Sequence, residues 1–329
     1  MAAYDLFNGD ADGICSLIQL RLAEPKESIL VTGIKRDIKL LKSLTEQVNL
    51  QATDEITVLD VSMAKNTEYL NYALNTGASV FYADHHQSGD IPEHENLTAL
   101  INTASNTCTA LIVNAHLKGA YLEWAIVAAF GDNLIKVAEA LCVREGYSEE
   151  QVNQLRTLGI CMNYNGYGAD LSDLFYHPAD LYRTAVNYLS PFEFIESESE
   201  VFHTLSNGYK GDMEKALKTE PSHISENAAL FILPNEKWAR RVGGVVGNEL
   251  ANQFPDRAHA VLTERDELFN NELTYQVSIR APKNNMTGAD EVAVKFGGGG
   301  RKGAAGIDIL VSKQQEELFI ILGGLAIKK

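Results

Sequence analysis

Short apolar runs alternate with amphipathic stretches through the first third of the chain. AYDLFN, SILVTGI, EITVLDV and ASVFYAD have the length and the β-branched and aromatic content of buried strands. The first three are each followed by apolar residues at helical spacing, in ICSLIQLRLAE, IKLLKSLTEQV and TEYLNYALNT. Strand, helix, strand in this rhythm predicts a parallel α/β sheet. From about Thr107 the pattern becomes mainly helical, through CTALIVNAHL, LEWAIVAAFGDNLIKVAEALCV and EEQVNQLRTLGICM, and then aromatic and polar in NYNGYGADLSDLFYHPADLY. This part is expected to cap the sheet and shape a cleft. Between about Ser190 and Ser225 the chain turns polar and acidic, as a charged connecting helix or linker does. AALFILP, RVGGVVGNELANQF, AHAVLTE, LTYQVSIRAP and FGGGGRKGAAGIDIL then predict a smaller α/β domain. The expected organisation is residues 1–189, a connecting segment 190–225, and residues 226–329, without internal repeats.

Composition narrows the function classes. The 329 residues are 45% hydrophobic and 22% charged, within the globular range and long enough for about two domains. A formal net charge of −16 disfavours an extended basic surface gripping long nucleic acid, while a small anionic substrate remains compatible. Cys15, Cys108, Cys142 and Cys161 are widely spaced with no CxxC pair, so reduced, buried thiols are expected rather than a zinc site or a disulfide framework. No run approaches the ~18 apolar residues of a membrane span. The start, MAAYDLFNGDADG, lacks the charged and apolar regions of a signal peptide, so a cytoplasmic protein with no membrane partner is expected.

The acidic residues fall in an informative place. Asp10 and Asp12 follow YDLF, Asp60 ends ITVLD, and Asp84, His85 and His86 end VFYADHH. All sit where strands should stop, and the C-terminal ends of parallel strands are where open α/β sheets bind ligands. Any one of these aspartates alone reads as an ordinary N-cap or turn residue. Three strand-end clusters in one α/β unit point instead to carboxylates gathered around divalent cations, with Mn²⁺ or Mg²⁺ suited to oxygen donors and one imidazole. Asp132, in AAFGDN, interrupts an apolar helical run and is a further candidate ligand.

GDADG, VLDVS, ADHH and the late GGGGRKGAAG, in this order, resemble the DHH phosphoesterase superfamily, and the resemblance spans nearly the whole chain. It is similar to the nanoRNase and RecJ-type branch, in which a parallel-sheet DHH domain with a helical cap is joined by a linker to a smaller DHH-associated α/β domain. The resemblance implies two Mn²⁺ ions, with Mg²⁺ as the alternative. Asp10 and Asp12 would each hold one ion, Asp60 would bridge both, and His85 and Asp132 would complete the second site. Asp84 would orient His85, and His86 would face the phosphate or assist proton transfer. Two positions depart from the family pattern. Asn8 stands where relatives place histidine or aspartate and offers only a neutral carbonyl, so the first ion is expected to bind weakly. Arg301 follows the glycines where relatives place histidine, and it suits bidentate contact with phosphate.

In that context Gly297 to Gly300, with Gly298, Gly299, Gly300 and Arg301 as the substrate-binding set, are expected to form a backbone nest for an anion; outside it, four glycines are a flexible turn. Ser278 and Arg280 share one face of a strand and are aimed at substrate as well. Asn163, Tyr164, Asn165 and Tyr167 fit equally a base-stacking surface and a packed turn. His177, His203, His223 and His259 have no matching partners and are expected to be structural or solvated.

The function expected is Mn²⁺-dependent hydrolysis of a short oligonucleotide or a small nucleotide in a cleft between the two domains. The alternatives are a phosphoanhydride or nucleoside bisphosphate phosphatase, and a catalytically weak nucleotide-binding regulator, which Asn8 makes conceivable. A homodimer is left open.

Overall fold

The computed structural model describes residues 2–325. They fall into two compact units, Met1–Tyr209 and Lys210–Lys329. In the first unit, β1 (Ala3–Phe7), β2 (Ile29–Val31), β3 (Glu55–Leu59), β4 (Ser79–Asp84) and β5 (Leu97–Ile101) form one parallel sheet in the order β2-β1-β3-β4-β5. Its central strands are apolar on successive residues because helices cover both faces. Leu6, Val58 and Tyr82 pack with α2 (Leu40–Gln47) and α3 (Thr67–Asn75) on one side. Phe7, Leu59 and Ala83, one residue along, pack with α1 (Ala11–Ala23) on the other.

The chain therefore leaves β1 toward one face and β3 toward the other. Adjacent strands whose connections diverge leave a crevice between their C-terminal ends, which is where this strand order binds ligands. The edge strand β5 was not expected: LTALI is only half-buried and lacks the strong apolar alternation that marks the central strands.

The helical part contains α4 (Thr109–His116), α5 (Leu122–Gly131), α6 (Ile135–Glu145), α7 (Glu149–Asn165), α8 (Pro178–Ala185), α9 (Pro191–Ser197) and α10 (Ser199–Leu217). The apolar run expected as one helix from Leu122 is broken after Gly131, where Asn133 turns into the left-handed region at φ 61°. α5 is buried continuously from Trp124 to Gly131 and forms the centre of the larger core. Residues 190–225, expected as a connecting segment, carry α9, α10 and the short strand β6 (His223–Ile224), and the division between units falls within α10. Phe194 of α9 packs on Trp124, with ring centroids 6.0 Å apart.

Beneath α1 lies a buried polar group. Arg21 donates from Nε and Nη2 to the two carboxylate oxygens of Asp5 at 2.8 and 2.5 Å, and Ser28 Oγ donates to the same carboxylate at 2.6 Å. This fork fixes the helix on β1 and so sets where the loop between them lies.

In the second unit a six-stranded sheet has the order β10-β11-β9-β8-β7-β6. It comprises β6, β7 (Ala228–Leu233), β8 (Ala258–Glu264), β9 (Thr274–Arg280), β10 (Gly299–Arg301) and β11 (Ala304–Val311). Only β7 and β8 pair in parallel, across the crossover helix α11 (Lys237–Gln253). α12 (Ala289–Lys295) and α13 (Gln315–Gly323) complete its core. The α/β class of both units is the one the hydrophobic pattern predicts. No helix among the described residues is long and apolar enough to cross a membrane.

Candidate metal centre

The loop after β1 and the first turn of α1 bring Asn8, Asp10 and Asp12 to the crevice beside β3. Asp10 is the N-cap of α1: its Oδ1 accepts from the amides of Asp12 and Gly13 at 3.0 and 3.2 Å. Gly13 must be glycine because a Cβ there would meet the Asn8 carbonyl oxygen at 2.2 Å. Asp12 points the other way and caps a different helix. Its two oxygens accept from the amides of Thr109 and Ala110, at the start of α4, at 2.8 Å each. The N-cap residue of α4, Cys108, supplies no side-chain bond of its own, so a buried aspartate from another part of the chain serves those orphan amides.

Asp60 follows β3 with φ 57°, in the left-handed region that aspartate tolerates better than most residues. That turn presents its carboxylate to the crevice, where Thr109 Oγ1 donates to Oδ1 at 3.0 Å. Asp132 closes α5 as its C-cap. His85 and His86 follow β4, with ring centroids 4.3 Å apart.

Asp12, Asp60 and Asp132 converge on one atom. The Nε2 of His85 lies 3.8 Å from Asp12 Oδ2, 3.4 Å from Asp60 Oδ1 and 3.9 Å from Asp132 Oδ2. These separations are too long for hydrogen bonds. They match the spacing of about 3–4 Å between neighbouring donors around a small divalent ion bonded at about 2.1 Å. Three hard oxygens and one imidazole suit Mn²⁺ or Mg²⁺.

The electrostatics ask for the same thing. Burial first, then the negative charges of Asp12, Asp10, Asp84 and Asp132, push the Asp60 carboxyl well above the ordinary carboxylate range. Burial and Asp12 push Asp132 up to about 6. Gathered, poorly hydrated carboxylates of this kind either take up a proton or share a cation. By donor chemistry, spacing and charge, these four residues fit a divalent ion. The donor atoms of Asp60, His85 and His86 also lie within 4.8 Å of one another, but His86 Nδ1 is already engaged elsewhere.

That engagement differs from expectation. Asp84 was expected to orient His85; instead its Oδ1 bonds His86 Nδ1 at 2.7 Å. The reason is local: residues two apart on extended backbone share a side, whereas neighbours diverge. The bond to Asp84 raises the His86 pKa, against the opposing effect of burial.

Two functional neighbours had no motif to reveal them. Thr109 is one. Lys35, in the loop after β2, is the other, with Nζ 2.6 Å from Asp10 Oδ2 and 2.7 Å from Asn163 Oδ1. Burial disfavours the charged forms of Asp10 and Lys35, but their mutual attraction prevails: the Asp10 carboxyl lies below its ordinary range and the Lys35 ammonium above its own. Asn8 Nδ2 donates to the Lys35 carbonyl at 3.1 Å, and its buried Oδ1 has no hydrogen-bond partner among the described residues. Of the polar stretch MNYNGYG, Asn165 is buried and bonds the Tyr176 carbonyl and the amides of Phe175 and Tyr176, which makes it part of a packed turn.

In the second unit Ser278 and Arg280 do share a face, and Arg280 Nη1 donates to Ser278 Oγ at 2.9 Å. The guanidinium also donates to Asn248 Oδ1 at 2.5 Å and the Gly244 carbonyl at 2.7 Å. The glycines of α11 admit it: Gly247 lies where a Cβ would already touch the Arg280 stem. The glycine run forms a hairpin edge. Gly297 and Gly298 donate their amides to Val294 and Ala293 at the end of α12, so these two amides of the expected nest are occupied. Gly299, Gly300 and Arg301 pair with Gly306, Ala305 and Ala304. A Cβ at Gly298 or Gly300 would collide with the β11 backbone, and this close approach is what the glycines serve. Arg301 is exposed.

No protein-family model and no curated protein sequence matches the chain. Solved structures do. An exonuclease RecJ bound to manganese aligns over 100% of this chain and 90% of its own, at 16% identity and TM-score 0.63. A pGpG-specific phosphodiesterase, PggH from Vibrio cholerae, aligns over 99% of both chains, at 14% identity and TM-score 0.57. The DHH domain of a protein described as a member of a ribosomal-protein family aligns over 99% of this chain and 87% of its own, at 10% identity and TM-score 0.58. At such identities the likeness is one of fold.

Proposed function

We propose that this chain, which has the fold of the DHH superfamily, is a metal-dependent phosphoesterase acting on short oligonucleotides or small nucleotides. The observation that carries the proposal is the convergence of Asp12, Asp60 and Asp132 on Nε2 of His85, at the switch point of the sheet. Those four residues would hold the divalent ion, Mn²⁺ by analogy with the RecJ structure, with Mg²⁺ the alternative. When bound, such an ion supplies positive charge for a phosphoryl oxygen and makes water acidic enough to attack at neutral pH.

The chain's own groups supply the rest. With Nδ1 held by Asp84, His86 keeps Nε2 for proton transfer, and the raised affinity for a proton suits it to protonate the leaving oxygen. Its side chain is 45% exposed, so a substrate can reach it. Thr109 orients the Asp60 carboxylate, and the α4 amides hold Asp12. The DHH catalytic domain would extend over residues 1–189, with 190–225 connecting it to a DHH-associated domain over 226–329. In that second domain Ser278, Arg280, Gly298, Gly299, Gly300 and Arg301 form the candidate substrate-binding set, with exposed Arg301 offering a bidentate contact to phosphate.

The test is incubation of purified protein and Mn²⁺ with a labelled dinucleotide, a longer single strand, pyrophosphate and a nucleoside bisphosphate. The proposal expects cleavage of the dinucleotide, abolished in Asp60→Ala. Cleavage of pyrophosphate alone would replace it with phosphoanhydride hydrolysis, and no turnover of any substrate would overturn it.

A further inference from the structure

We infer that this centre takes one divalent cation, and that the ammonium of Lys35 stands where a second positive charge would otherwise be held. The inference rests on the metal-dependent reading above and concerns the other half of the crevice. What sets Asp10 apart from the other carboxylates is a cation already in contact with it: Oδ1 accepts from the amides of Asp12 and Gly13, and Oδ2 faces the Lys35 ammonium at 2.6 Å. A divalent ion bound to Asp10 would have to displace that ammonium or lie against it.

Lys35 is also anchored through both its backbone and its side chain. Its Nζ donates to Asn163 Oδ1 at 2.7 Å, its amide donates to the Gly166 carbonyl at 2.8 Å, and its carbonyl accepts from Asn8 Nδ2 at 3.1 Å. The ammonium lies 5.6 Å from the centroid of the Tyr167 ring, within cation–π range. Asn8 thus brings no charge to this half, only a neutral Oδ1, and spends its amide nitrogen on holding the lysine loop. A lysine supplied by the chain and an asparagine without charge make a compensated pair.

The other half is built differently. Among the described residues Asp12, Asp60 and Asp132 form no ion pair with lysine or arginine, and they face His85. One half of the crevice has a chain cation in direct contact with its carboxylate, and the other has none among the described residues.

Metal stoichiometry decides between one ion and two without reference to activity. Metal-stripped full-length protein is equilibrated with MnCl₂, and bound Mn²⁺ per chain is counted by native mass spectrometry, with electron paramagnetic resonance to detect coupling between paired ions. One uncoupled Mn²⁺ in the wild type, rising to two coupled ions in the Lys35→Met, Asn8→Asp double variant, is the expected result. Two ions in the wild type would overturn the inference and leave the metal-dependent reading intact. No bound ion would overturn that reading and the inference together. A double variant that folds, by circular dichroism, yet still holds one ion would show that Lys35 does not exclude the second, and would also overturn it.

Discussion

Thr109 touches two of the gathered carboxylates at once, giving its amide to Asp12 Oδ2 at 2.8 Å and its hydroxyl to Asp60 Oδ1 at 3.0 Å. The amide bond is independent of the side chain, whereas the hydroxyl bond depends on it and helps to hold the Asp60 carboxylate. Thr109→Val is therefore expected to weaken Mn²⁺ binding by about 10-fold, the lower end of the usual effect of losing a group that orients a ligand. Thr109→Ser should retain affinity. Calorimetric titration checks both, and equal affinity in all three proteins would show that the hydroxyl orients nothing.

On the function proposed above, the Asp84–His86 bond at 2.7 Å leaves His86 for proton transfer and His85 for the ion. His86→Asn should lower kcat by about 10²-fold or more, the ordinary worth of a general acid, with Mn²⁺ affinity little changed. His85→Asn should lose the ion. Metal affinity and steady-state kinetics on both variants separate the two roles, and an exchange of phenotypes would reverse the assignment.

Arg21 and Asp5 test what holds α1 in place. Both are buried, so removing one partner strands the other charge, at a cost of about 3–5 kcal/mol. Arg21→Met should lose that much in urea unfolding. Lys42→Ala, which breaks an exposed pair with Glu46, should lose less than about 1 kcal/mol. Similar small losses in both would mean that the Arg21 fork contributes little.

His259 gives stability a dependence on pH. It is fully buried under Phe254, with ring centroids 6.2 Å apart, and burial followed by Arg257 lowers its pKa from 6.5 to about 4. The unfolded chain therefore takes up a proton that the folded chain refuses. The stability this histidine allows is complete above about pH 6.5 and declines as pH falls toward 4, by about 3 kcal/mol in all. His259→Leu should be less sensitive to acid by about 2.5 kcal/mol over the part of this range between pH 7.5 and 4.5, measured as the change in unfolding free energy. Parallel curves for wild type and variant would refute it.

The residues that were legible in the sequence are those whose signal is local. β1, β3 and β4 stand out because strands covered on both faces are apolar throughout, and the aspartates at their ends follow directly from where those runs stop. Lys35 and Thr109 were not legible, because each reaches the crevice through tertiary folding from a segment whose own pattern is ordinary loop or helix start. The pairing of Asp84 with His86 was legible in principle from the two-residue period of extended chain, and the motif's adjacency of Asp84 and His85 obscured it. The glycine run suggested an anion nest, but two of its amides were needed to end α12, a demand visible only once the helix is in place.

Electron spin-echo spectroscopy of Mn²⁺ bound to the metal-stripped protein tests the centre most directly, since it detects nitrogen coordinated to the ion. Coupling to one imidazole nitrogen, lost in His85→Gln and kept in His86→Gln, is the result expected from the distances of His85 Nε2 to Asp12, Asp60 and Asp132. Coupling that survives His85→Gln, or no nitrogen coupling in the wild type, would contradict the centre described.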